Sequence, residues 1–277
     1  MQTGSLVAAV MADNFVFPDR LEAHAVDDAR MAEAYESLGA ASRAVLKKCI
    51  ARLYRIWGES PERAVSLNCP DRNFCLECED RPADAAVIVC EAGYRHPAAF
   101  LAALMPAVLS GARLLLPLFL SPGTSASLPD AQTAALPSAP LLAALELAGV
   151  ERAYFLDEDA VLDCVRELPP DTGRLLLMGE KPFGQRLVLH AHNVGLACRS
   201  FVLPPKYHNE RLEQNRELSF GVRPSGEKAD EPALSDGFRQ ASVRLDAAHE
   251  NMWIWPDLDP GWFRLRRMRL YSPGALE

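Results

Sequence analysis

Glu91, Tyr94, Arg95 and His96 fall within six residues, after an apolar run and just before Pro97. A carboxylate, a guanidinium and an imidazole so placed can accept hydroxyl protons, hold an anion and move a proton near neutral pH. His96 is therefore the candidate catalytic group, and Glu91, Tyr94 and Arg95 are candidate ligand-binding residues. Two later turns extend the set. Asp157 and Glu158 follow a short apolar run and could accept ribose hydroxyls. Glu180, Lys181 and Gln185 follow another, with Lys181 a second anion partner. The plainer alternative for residues 91–96 is a solvated turn.

Other clusters are poorer. Gly179 and Gly184 have the spacing of half a P-loop, but Gln185-Arg186 stands where Lys-Ser/Thr is required, so the phosphate cradle fails. A Gly-x-Gly-x-x-Gly fingerprint is also missing from the first turn. Cys75-x-x-Cys78 with Cys69 nearby could seed a metal site, yet no second pair follows. In a strand, Cys75 and Cys78 would point to opposite faces. His190 and His192 would share a face only if 185–203 begins as a strand, and a helix from Gln185 fits nearly as well. No metal is expected.

These residues need elements to position them. Residues 85–90 form an apolar, β-branched run suited to a strand covered on both faces. Pro97 opens a helix whose apolar residues recur to Leu109, with Gly111 at its end and Pro106 predicting a kink or break near Met105. A second strand spans 113–120. Strand, crossover helix and strand imply a parallel, right-handed unit. Helices from Pro140 and from the Asp157 cap alternate with strands at 152–156 and 174–178. A further strand is expected at 201–203. In such sheets a ligand sits beyond the carboxyl ends of the strands, where all the candidate residues above would lie.

Upstream, residues 27–38 and a longer stretch capped by Ser42 and closed by Gly58 read as helices. Residues 64–80 alternate on either side of Pro70-Asp71-Arg72-Asn73, as in a β-hairpin. Residues 1–26 read as an irregular arm and 121–139 as a loop rich in Ser, Pro and Ala. Residues 211–217 and 236–250 read as helices around an exposed loop at 221–236. Asp259-Pro260 reads as the start of a C-terminal helix carrying Trp262, Phe263 and four arginines, Arg264, Arg266, Arg267 and Arg269.

The 277 residues are 49% hydrophobic and 24% charged, as in globular proteins, with a net charge of −8 that argues against a general nucleic-acid binder. No apolar run reaches membrane-spanning length. Seven cysteines and no secretory leader suggest reduced thiols in a cytoplasmic protein. The expected fold class is α/β: a parallel Rossmann-like sheet flanked by helices, with an N-terminal helical segment and a β-hairpin. The expected divisions are an arm and helices (1–63), the hairpin (64–82), the core (83–205) and a C-terminal extension packed on it (206–277).

Three phrases carry a resemblance. Ala92-Gly93-Tyr94-Arg95-His96-Pro97 is a glycine-bearing turn before a proline-led helix. Met105-Pro106-Ala107-Val108-Leu109-Ser110-Gly111-Ala112 resembles Ile-Pro-Ala-Lys-Val-Ala-Gly-Val. Leu147-Ala148-Gly149-Val150 with Tyr154 resembles Leu-Ala-Gly-Val-x-x-x-Tyr. In this order they resemble the nucleotide-binding core of histidinol dehydrogenases, relatives of the aldehyde dehydrogenase fold, over residues 84–179. The resemblance implies NAD or NADP as cofactor and an oxidoreductase. The family's catalytic wording is absent: Asp157-Glu158-Asp159 replaces its Gly-Gly-Ala-Gln segment, and its Gln-x-x-His-Asp and Pro-Glu-His-Leu segments have no counterpart. The expectation is a nucleotide-binding oxidoreductase-like protein whose activity is altered or lost. The alternative is a non-catalytic descendant acting through protein contact, such as a homodimer.

Overall fold

The 10 residues from Asp28 to Ser37 form helix α1, and Ala40–Trp57 form α2. Strands β1 (Arg63–Cys69) and β2 (Phe74–Pro82) then make the expected hairpin. The central alternation follows: β3 (Ala85–Cys90), α3 (Pro97–Ser110), β4 (Leu114–Leu120), α4 (Ala139–Leu147), β5 (Tyr154–Leu156), α5 (Glu158–Glu167), β6 (Gly173–Gly179), α6 (Gln185–Asn193) and β7 (Ala197–Val202). A last strand, β8, spans Arg264–Tyr271. This computed structural model describes residues 19–58, 61–121, 137–179, 184–202, 252–255 and 257–272. The expected helices at 211–217 and 236–250, the loop at 221–236, residues 122–136 and the candidates Glu180 and Lys181 lie outside them.

Every residue of β3 is buried, because the strand is central and covered on both faces. The sheet order is β5-β4-β3-β6-β7, and all its pairings are parallel. Parallel neighbours need a crossover, and a right-handed one puts the helix on a face set by the direction of travel. From β3 outward to β5 the chain uses one face, where α3 and α4 pack with Ala86, Ile88 and Cys90. From β5 back across to β6 and on to β7 it uses the other, where α5 and α6 pack with Ala85, Val87 and Val89. Alternate residues of one strand thus anchor two separate cores. The fold is Rossmann-like α/β.

Pro117 sits inside β4, an unusual place for a residue without an amide hydrogen. Ser121 donates its N–H to Leu156 of β5, so with a period of two the nitrogen of Pro117 faces the same side. The β5 pairing begins only at Leu118. The proline therefore lies where no ladder hydrogen bond is needed.

Three local expectations change, and the open reading of 185–203 is decided. Helix α3 runs unbroken through Pro106; every one of its residues except Val108 is buried, and that packing holds it past the lost hydrogen bond. Helix α2 starts at Ala40 with Gly39 as its cap, not at Ser42. Residues 185–193 are helical, so His190 and His192 lie about 200° apart around the axis and do not share a face. Asp259-Pro260 opens only a 3-10 turn, Pro260–Phe263, in place of the expected helix. Residues 264–271 form β8 instead, because β2 offers Glu77, Glu79 and Asp80 opposite Arg269, Arg267 and Arg266. Opposite charges paired across strands favour that register over a local helix signal.

A second, antiparallel sheet β1-β2-β8 joins the core at the end opposite the strands' carboxyl edge, through Ala83 and Asp84. Arg264, almost fully buried, fixes the junction. Its Nε donates to Asp80 Oδ1 at 2.6 Å, and its other nitrogens donate to the carbonyls of Pro61, Asp80 and Ser110. Beside it Arg81 forks onto Asp84 at 2.6 and 3.4 Å. Burial alone would raise the Asp84 carboxyl. Hydrogen bonds from Arg81 and Thr172, with the charges of Arg81 and Arg113, outweigh it and hold the group below the usual aspartate value.

Candidate functional site

The strand order reverses between β3 and β6. Helices α3 and α6, which leave these two strands, go to opposite faces. In open parallel sheets such a reversal is where a ligand crevice is expected. Residues 91–96 lie on the α3 side of the reversal, and the N-terminus of α6 lies on the other.

The α3 side is tied down at its start. Glu91 donates its N–H to the Met178 carbonyl at 2.9 Å, linking β3 to β6 at the reversal. Tyr94 donates back to the Glu91 carbonyl at 3.2 Å, closing a turn in which Gly93 has φ +80°. That positive φ at the third position is why a glycine stands there. The chain then alternates. Tyr94 and His96 turn inward, at 2% and 5% exposure, with their rings edge to face at 5.5 Å. Arg95 is exposed and Glu91 half-buried. The His96 carbonyl accepts the first helical bond, from Phe100 at 2.9 Å, and Pro97 opens α3.

On the other side, Gly184 caps α6 with φ +69° and no side-chain bond, so Gln185 is its exposed first residue. Arg186 reaches Glu158 at 3.4 Å and Asp159 at 3.3 Å, which joins the N-termini of α5 and α6. Asp157 caps α5, its Oδ1 accepting from Ala160 at 2.8 Å. The candidates thus divide into two groups, Glu91, Tyr94, Arg95 and His96 on the α3 side and Asp157 and Gln185 on the α5–α6 side. All belong to the same edge of the sheet.

Residues not foreseen at this edge are Phe201, Trp253 and Trp255. Phe201 is opposite Met178 in the ladder, one residue short of the end of β6. Trp255 stacks at 4.7 Å from Phe201, lies 5.4 Å from Trp253, and donates its indole N–H to Ala99 in the first turn of α3. These rings belong to the buried core on the α3 face of the sheet. The aromatic composition of 252–255 is visible in the sequence; its docking on a helix more than 150 residues earlier is not.

Three thiols are held in the neutral form. Burial pushes Cys90, at the end of β3, well above the ordinary cysteine value, with Glu91 adding to the effect. Burial also takes Cys198 up to about 12 and Cys49 up to about 11, against Arg52 and Lys48 in the latter case. A reactive cysteine needs the opposite shift. Among the described residues, no group of three or more His, Cys, Asp or Glu could hold a metal. A separate cavity of about 250 Å³ lies beyond β5, with His24, Val26, Arg30, Leu142 and Phe155 in its wall. None of the candidate residues lines it.

No protein-family model matches the chain, and no curated protein matches it in sequence. Solved structures similar to it include dehydrogenases. Histidinol dehydrogenase from Elizabethkingia anophelis is 12% identical at TM-score 0.48, over 66% of this chain and 40% of that one. An NAD-dependent benzaldehyde dehydrogenase from Corynebacterium glutamicum is 11% identical at 0.34, over 63% and 44%. Succinate-semialdehyde dehydrogenase from Burkholderia pseudomallei is 16% identical at 0.33, over 57% and 30%. The chain therefore spans less than half the length of each.

Proposed function

We propose that the protein binds a nucleotide, of the NAD or NADP type, in the crevice between β3 and β6, and that dehydrogenase chemistry is altered or lost. The observation that supports this is the reversal of strand order between those two strands, with α3 and α6 diverging above it. Arg95 and Lys181 would face the phosphates; Glu91 and Asp157 would accept ribose hydroxyls; Tyr94 and Gln185 would complete the walls. His96 is the candidate proton carrier. The burial of His96, and the raised thiols of Cys49, Cys90 and Cys198, favour binding over turnover.

Calorimetry and thermal melting with NAD, NADP and ADP-ribose test this reading. Ligand at ten times its Kd should stabilise the fold by about 1.4 kcal/mol. Arg95→Glu should weaken binding about tenfold, as loss of one charge-assisted contact does. Absence of any stabilisation at millimolar ligand would overturn the proposal. A second reading, function through protein contact, is favoured by a different feature, the exposed face of the small sheet.

A further inference from the structure

The carboxyl ends of the parallel strands fall into two unlike groups. Beyond β3 and β5 stand charged side chains that meet water: Arg95 and Asp157 are exposed, and Glu91 and Glu158 are half-buried. At the ends of β6 and β7 the α3 face is packed with rings instead. Phe201, opposite Met178 in the ladder, is 8% exposed. Trp255, 4.7 Å from Phe201, is 6% exposed, and Trp253, 5.4 Å from Trp255, is 5% exposed. The Trp255 indole also donates to the Ala99 carbonyl at 2.9 Å, in the first turn of α3. One indole therefore reaches from α3 to β7, with β6 between them in the sheet. Met178, Tyr94 and these three rings belong to one core.

A doubly wound sheet has two mononucleotide-binding halves, and a dinucleotide uses both. The adenosine half of the ligand goes with the first, and the second nucleotide lies past the later strands. Here the first half is complete: β3, α3, β4, α4 and β5. After the reversal the later half has two strands among the described residues, β6 and β7, and Trp255 and Phe201 occupy its end on the α3 face. We infer that the crevice holds the ADP-ribose half of the cofactor and leaves the nicotinamide in water. The inference rests on the nucleotide reading above and says which part of that ligand the protein grips.

The chemistry of the rings supports it. A nicotinamide and an indole are both flat, and each needs a dry slot between apolar neighbours. Trp255 fills that slot from within the chain, and its buried N–H already has the Ala99 carbonyl as partner. A nicotinamide could enter only by breaking that bond and uncovering the rings around it, and a buried donor left unpaired is costly. A hydride acceptor that stays in water is also not held against a substrate. Loss of dehydrogenase chemistry then has a cause in the packing of one tryptophan.

Calorimetric titration of the full chain with NAD and with ADP-ribose tests this. The two Kd values should agree within about two-fold, because the nicotinamide adds no contact. NADH, excited directly at its nicotinamide, should bind without the rise in emission that a dry site produces. NAD that binds more than about tenfold tighter than ADP-ribose overturns the inference and leaves the nucleotide reading standing. NADH emission that climbs on binding does the same. Failure of NAD and ADP-ribose alike to bind overturns the nucleotide reading and this inference together.

Discussion

The two sheets solve the same problem in opposite ways. The parallel sheet buries both faces, and its central strand is apolar throughout. The antiparallel sheet buries little of β1, leaves its apolar face in water, and is held to its own strands by carboxylates opposite arginines. One is specified by hydrophobic burial, the other by charge register and a buried guanidinium at its root. The contrast teaches where each kind of substitution should matter.

The largest effect should come from the core. Ile88→Ala empties a fully buried site and should destabilise by about 4 kcal/mol in chemical denaturation. A loss under about 1 kcal/mol would mean the core is not packed as described. Next is the junction: Arg264→Ala leaves Asp80 and three carbonyls without their donor and should remove about 3 kcal/mol. Hydrogen exchange should rise in β2 and β8 before it rises in β3. Acid should act at the same joint but more weakly. Asp84 has a lowered folded-state value, so its contribution is complete above the unfolded aspartate value of about 4 and fades as pH falls through the lower one. Asp84→Asn should flatten that part of the pH–stability curve. Smallest of all, Val65→Thr on the open face should change stability by less than about 0.5 kcal/mol.

The same division explains what could be read from the sequence. Residues 85–90 and 113–120 announce buried strands because burial on both faces leaves an unbroken apolar run. Asp157, Pro97 and Gly111 announce helix ends because caps are local. Strand β8 is illegible locally, since what makes it a strand is a row of acids nearly 190 residues earlier. At the crevice, strand ends place residues 91–96 and 185 on one edge without further information. The inward turn of Tyr94 and His96 around an outward Arg95 depends on tertiary packing, as does the buried contact of Phe201 and Trp255. Sequence reasoning therefore finds the edge and misses what fills it.

Hydrogen-exchange mass spectrometry with and without saturating NAD addresses the crevice most directly. Slowed exchange confined to peptides covering 91–96 and 184–190, with β1, β2 and β8 unchanged, is the predicted result. Protection at the small sheet or beyond β5, with none at those two turns, would contradict a ligand seated where the strand order reverses.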